Sequence, residues 1–173
     1  MDAIRLKRWL AGTGLLLGVL ALVGSAAACT PSETAPQLDK RAPDFTLTTL
    51  GGTEITLSEL RGTPVVLNFW AIYCSACRVE LVKLEELAEQ NGDIAVIVVN
   101  TGDSRSRVEQ FFSDYELHFT AALGAGTQVS SQEYNVRYLP TTYFIDRKGI
   151  IRYIKIGAFI DETELEEAVE SIR

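Results

Sequence analysis

The stretch Val65-Val66-Leu67-Asn68-Phe69-Trp70 constrains this chain most, because it is apolar at nearly every position and is followed closely by a helical pattern. A strand that does not alternate is one covered on both faces, which requires layers above and below a sheet. Behind it, Cys77, Leu81, Leu84 and Ala88 recur at intervals of 4, 3 and 4, the stripe of an amphipathic helix, and Asn91-Gly92 supplies its stop. Ile94 to Val99 repeats the buried-strand pattern. This order predicts an α/β chain with a central sheet, and neither an all-helical nor an all-β reading fits it.

The flanks complete the architecture. Phe45, Leu47, Ile55 and Leu57 alternate with polar residues around Gly51-Gly52, which predicts an N-terminal β-hairpin, and Ser58-Glu59-Leu60 a short turn closed by Gly62. Asp103 or Ser104 is placed to cap a helix bearing Val108, Phe111, Phe112 and Tyr115. Thr127 to Tyr134 predicts a looser helical stretch. Thr142 to Ile145 and Ile150 to Ile156 read as strands joined by Asp146-Arg147-Lys148-Gly149, and Leu165, Ala168, Val169 and Ile172 give a last helix one buried face. Strand, helix, strand, helix, hairpin and helix predict a mixed sheet, and 173 residues suffice for one such domain.

Cys74 falls between the buried strand and the helix, where backbone N–H groups and the positive helix end stabilise a thiolate. Cys77 lies one turn on, close enough to close a small disulfide ring. In that arrangement Cys74 attacks a partner disulfide and Cys77 resolves the mixed disulfide, moving two electrons with no other cofactor. Zinc is the rival chemistry for such a pair and wants four ligands, but beyond Cys29 the chain offers only His118. A permanent structural disulfide is the blander alternative. Glu80, three residues after Cys77, leans back toward it on a helix, yet the spacing equally suits a surface carboxylate paired with Lys83.

The N-terminal 28 residues carry Arg5, Lys7 and Arg8, an apolar run from Trp9 through Val23, and a small-residue ending at Gly24 to Ala28. This pattern reads as an export signal cut after Ala28, with an uncleaved anchor as the other reading. Three cysteines in an exported chain leave one over, Cys29. Its position directly after Ala26-Ala27-Ala28 resembles the cleavage box of bacterial lipoproteins, in which the first mature cysteine carries lipid. Ala26 departs from the Leu usual there, which leaves a free Cys29 open. Residues 29–41, with Pro31, Ser32 and Pro36, read as a flexible tether, and the folded domain as 42–173. The net charge of −7 becomes −9 once the +2 of the signal is removed, which argues against nucleic acid.

Taken together, Phe69-Trp70-Ala71-Ile72-Tyr73-Cys74-Ser75-Ala76-Cys77-Arg78-Val79-Glu80, Pro43-Asp44-Phe45-Thr46-Leu47, Tyr134-Asn135-Val136 and Leu139-Pro140-Thr141-Thr142-Tyr143-Phe144-Ile145-Asp146 resemble the TlpA/ResA-like family of membrane-anchored thioredoxin-like oxidoreductases. The resemblance implies a thioredoxin-like fold, a central mixed sheet flanked by helices with an N-terminal hairpin and a central helical insertion. It implies that Pro140 is cis and lies beside the cysteine pair. It places Pro140, Leu139, Tyr73 and Trp70 along an extended substrate segment, although aromatic residues such as Trp70 more often belong to the core. It gives Glu80 a role in moving the thiol proton, the more so because Asn68 stands where general thioredoxins have a buried Asp. Tyr73 in place of Trp, and Ser75-Ala76 without proline, depart from the family pattern and leave the redox potential open.

The function expected from this resemblance is reduction of disulfides in exported proteins, apocytochrome c among them, at the outer side of a bacterial membrane. The chain would be tethered there by lipid on Cys29 or by its anchor, and supplied with electrons by a membrane thiol donor. A copper-carrying relative of the same fold is a second reading. Such carriers space their cysteines more widely and add a distant histidine.

Overall fold

In chain order the elements are β1 (Thr46–Thr48), β2 (Glu54–Thr56), β3 (Val65–Trp70), α1 (Ser75–Gln90), β4 (Ala95–Asn100), α2 (Arg105–Asp114), β5 (Thr120–Leu123), β6 (Thr141–Ile145), β7 (Ile151–Ile156) and α3 (Glu162–Glu170). They come from a computed structural model that describes residues 36–173, so the signal segment, Cys29 and most of the tether lie outside the described residues. Among the described residues no helix is long and apolar enough to cross a membrane.

Five strands form one mixed sheet in the order β5-β4-β3-β6-β7, with β3, β4 and β5 parallel and β6 and β7 antiparallel to their neighbours. β3 is the middle strand, and all six of its residues are buried, as its unbroken apolar pattern requires. Its side chains divide by parity. Val66 and Trp70 join Leu81 and Leu84 of α1, Val108, Phe111 and Phe112 of α2 and Leu165, Ala168 and Val169 of α3 in one core. Val65, Leu67 and Phe69 join Phe45, Leu47, Val129 and Tyr134 in the other. All three α-helices therefore cover one face. The opposite face is closed by the hairpin and by a short π-helical turn at Val129–Glu133, the form taken by the looser helical stretch. Burying each large apolar side chain contributes about 1.5–3 kcal/mol, so two such layers are the main stabilising term.

The hairpin β1-β2 forms its own two-stranded sheet, and its turn end reaches the main sheet, where Leu50 N–H donates to Ala121 O at 2.9 Å and Thr49 bridges Ala122. At the opposite edge Asp39 N–H donates to Ile151 O at 2.8 Å and Ile151 N–H to Lys40 O at 2.9 Å. The last residues assigned by composition to the tether are thus paired with β7. The β6-β7 turn ends at Gly149 with φ +76°, a backbone conformation that glycine adopts freely and other residues only with strain. β5 was not expected from the sequence. It lies parallel to β4 at the end of the sheet, with Ala121 and Ala122 buried.

Candidate active site

The parallel strands end on one side of the sheet, and the site is built there. β3 stops at Trp70, and the chain turns through Ala71, Ile72 and Tyr73 into Cys74, whose N–H donates to Ala71 O at 3.1 Å. Cys74 is extended (φ −84°, ψ 103°) and caps α1, with its Sγ accepting from Cys77 N–H at 3.1 Å. The two sulfurs are bonded at 2.10 Å with the Cα atoms 5.2 Å apart. The pair is unequal. Cys77 is wholly buried and Cys74 is partly exposed, so an incoming sulfur meets Cys74 first. Tyr73 beside it is 82 % exposed.

The Leu139–Pro140 peptide is cis. Thr141 pairs with Phe69 in the antiparallel β3-β6 register, which puts Pro140 opposite Trp70 at the same sheet end as the cysteine loop. Pro140 O accepts Gly157 N–H at 2.8 Å, and Leu139 is partly buried against both cores. Trp70 must be corrected as a substrate contact. Its ring is fully buried, 4.9 Å from Phe111 and 6.0 Å from Phe112 between centroids, and offers no surface to a partner chain. It belongs instead to the helix-side core that also buries Cys77.

Glu80 is not the surface carboxylate that its spacing from Lys83 allowed. It is 1 % exposed, and Lys83 instead points its Nζ to Phe159 O at 3.4 Å. Glu80 Oε1 accepts from Asn68 Nδ2 at 2.9 Å and from Thr142 Oγ1 at 2.6 Å, while the same Asn68 amide donates to Thr142 Oγ1 at 2.8 Å. Three side chains from α1, β3 and β6 thus close a buried triangle. Glu80 Oε2 is likewise buried. Burial pushes the Glu80 carboxyl above its usual range, opposed in decreasing order by the Thr142 hydroxyl, the Phe159 backbone, Lys155 and Asn68. A carboxyl so placed holds a proton more readily than a surface glutamate, one turn from Cys77.

Ser104 stands at the N-cap of α2, with no side-chain cap bond, so the capping position does not fall to Asp103. It folds inward instead, its Oδ2 accepting Ile72 N–H at 2.9 Å and Asn100 Nδ2 at 3.0 Å, while Asn100 Oδ1 accepts Asp103 N–H at 2.8 Å. This clasp fixes the loop that delivers Cys74. Its sequence signal is two polar residues, Asn100 and Asp103, at the exit of a buried strand, where a core side chain has no reason to be polar unless it is bonded. His118 is engaged elsewhere, its ring Nδ1 3.1 Å from Glu85 Oε1 on α1. Among the described residues no group of three or more His, Cys, Asp or Glu side chains is placed to hold a metal ion.

Comparison with known proteins places this geometry. Residues 38–154 match the model of the AhpC/TSA family. The chain is 36 % identical to a thioredoxin-like protein, YneN, of Bacillus subtilis over 95 % of its own length and 98 % of the relative's. It is 34 % identical to the thiol-disulfide oxidoreductase ResA of Geobacillus kaustophilus, covering 96 % and 97 % of the two chains. Among solved structures it resembles a secreted disulfide oxidoreductase of Mycobacterium tuberculosis homologous to Escherichia coli DsbE, with a TM-score of 0.66 and 29 % identity over 73 % of this chain and 95 % of that one.

Proposed function

Because the chain belongs to the AhpC/TSA family of thioredoxin-like proteins and is a thiol-disulfide oxidoreductase of the ResA and DsbE type, we propose that it reduces disulfides of exported proteins, apocytochrome c among them, while tethered outside the cytoplasmic membrane. The observation that carries this reading is the asymmetry of the pair, an accessible Cys74 at a helix N-terminus and a sealed Cys77 one turn from a buried carboxyl. The export pattern of residues 1–28, the position of Cys29 and the secreted character of the mycobacterial relative support the location.

In the reduced protein the Cys77 N–H and the positive end of the 16-residue helix favour the thiolate at Cys74. That thiolate attacks one sulfur of a partner disulfide. A Cys74–partner bond forms, the partner's S–S bond breaks, and its second sulfur leaves and takes a proton. Cys77 then gives its thiol proton to Glu80 and attacks Cys74 Sγ. The Cys74–Cys77 bond forms, the Cys74–partner bond breaks, the sulfur that leaves takes a proton, and the partner departs with two thiols. The electron pair has come from the protein's own cysteines, which a membrane dithiol donor restores; no further cofactor takes part. Pro140, Leu139 and Tyr73 line the side of Cys74 on which an extended partner segment would lie.

Trapping tests the proposal. With Cys77→Ala expressed in the native cell, exported proteins should accumulate in mixed disulfides with Cys74, cytochrome c precursors among them. Adducts that persist in a Cys74→Ala, Cys77→Ala double variant, or none in the single one, would overturn it. Adducts with cytosolic proteins alone would overturn the location.

A further inference from the structure

The buried triangle at Glu80 has a fourth neighbour that nothing in the chemistry above uses. Thr142, which donates to Glu80, is the register partner of Lys155 on β7, and paired residues of antiparallel strands project from the same face with their Cβ atoms about 5 Å apart. Lys155 is therefore beside Glu80, on the helix-covered face of the sheet. Its Nζ lies 5.3 Å above the Phe159 ring, and Phe159 is itself packed on Phe144 in the core. The ammonium does not reach solvent freely. It is held by both oxygens of Glu164 on α3, each at 2.6 Å, with Tyr153 Oη donating to the same carboxylate at 2.8 Å. Side-chain exposures of 19 % for Lys155 and 30 % for Glu164 keep the pair half sheltered, where charge is screened less than at an open surface.

We propose that Lys155 is a positioning residue for the exchange reaction, and that the Lys155–Glu164 ion pair sets how readily Glu80 takes and returns the Cys77 proton. The inference rests on the reading of Glu80 as the proton-handling group. The other polar and ionisable groups facing this pocket are Cys77 and Lys83 from α1, Asn68 from β3, Thr142 from β6, Tyr153 from β7 and, around Glu164, Asp161 at the cap of α3 and Glu167 from α3, whose charges act on Glu164 and Tyr153. Of these, Lys155 is the cation that bears on Glu80 through charge. A positive charge beside a carboxyl favours its ionised form, and Glu164 cancels part of that charge. The two members of one ion pair must then act on Glu80 with opposite sign, which a merely structural pair does not do.

The test follows the Glu80 side-chain carboxyl by carbon-13 NMR in the oxidised full-length chain, where Cys74 and Cys77 are joined and do not titrate, with Glu80→Gln identifying the signal. Lys155→Met should move its midpoint to higher pH, Glu164→Gln to lower pH, and Lys155→Arg should leave it near the parent. The acid limb of the disulfide-exchange rate should follow the same order. Should Lys155→Met fail to fold, Glu164→Gln still tests the opposite sign alone. Equal midpoints, or displacement of both in one direction, would overturn the proposal. If Glu80→Gln removes the acid limb while Lys155→Met and Glu164→Gln leave it in place, the ion pair has no such role and the Glu80 reading stands. If Glu80→Gln leaves the limb unchanged, the Glu80 reading fails and this one with it.

Discussion

Replacing Asn68 by Asp would convert the donor at the centre of the buried triangle into a second acid. The Asn68 amide nitrogen is 2.9 Å from Glu80 Oε1, so the new carboxylate would share its pocket, with charge centres about 4 Å apart. At an effective dielectric of about 20, two negative charges at that distance repel by about 4 kcal/mol. That separates the two ionisations by about 3 pH units, since each unit is worth about 1.4 kcal/mol. The sign follows from proton linkage. Above about pH 4 the unfolded chain releases both protons while the folded chain retains one, so stability must fall as pH rises. In urea unfolding at fixed temperature, Asn68→Asp should lie within about 1 kcal/mol of the parent at acid pH, where a protonated Asp still donates. It should lose about 4 kcal/mol against the parent by the pH at which both acids ionise. The acid limb of the exchange rate should move to higher pH along with it. A variant whose stability tracks the parent from pH 4 to pH 9 would refute the reasoning, because no shared buried pocket could then exist.

The remaining outcomes test other parts of the site. Burial raises the Glu80 carboxyl, so the parent should lose stability as pH rises past the usual carboxylate range. Glu80→Gln should lack that slope and be the more stable form at neutral pH, while exchanging about 10²-fold more slowly, as loss of a general acid–base group implies. Reduction opens a ring closed across a sequence separation of only 3, for which chain entropy gives about 2 kcal/mol. Calorimetry with and without dithiol should show a loss no larger than that, whereas a much larger one would identify a structural bond. Asp103→Ala leaves Ile72 N–H and the Asn100 amide without their acceptor. It should cost about 2–4 kcal/mol in denaturant melts and speed hydrogen exchange at Ile72, and an unchanged Ile72 rate would remove the clasp from the account.

The sheet was legible wherever local pattern and burial agree. β3, β4 and β6 are dense in apolar and β-branched residues and covered on both faces, while the edge strand β7, only partly buried, keeps its isoleucines and Tyr153 as a strand signal. β5 escaped because Thr-Ala-Ala-Leu carries almost no strand preference; it is held by pairing with β4 and by the hairpin docked on its far edge. Helix positions were readable from period, but the fate of Glu80 was not. Whether a carboxylate at that spacing meets Lys83 or is buried is decided by Asn68 and Thr142, which come from strands 12 and 62 positions away. Asp103 looked like a cap for the same reason, since the Ile72 amide that captures it lies 31 residues earlier. Trp70 stood among substrate contacts because its neighbours in sequence are active; the parity of β3 turns it into the core instead.

The two sheet edges raise a question of timing. One is closed by Thr49 and Leu50 against β5, the other by Asp39 and Lys40 against Ile151. Both closures join the beginning of the domain to segments far later in the chain, and contacts of such separation form slowly because the intervening loop must first be ordered. A polypeptide delivered from its N-terminus holds Asp39 and Lys40 without these partners until more than 100 others have followed, since Arg152 binds Asp39 across 113 positions. Completion of the domain is therefore a late event that reports arrival of β7, and a molecule stalled before it keeps a border of its sheet open to other strands.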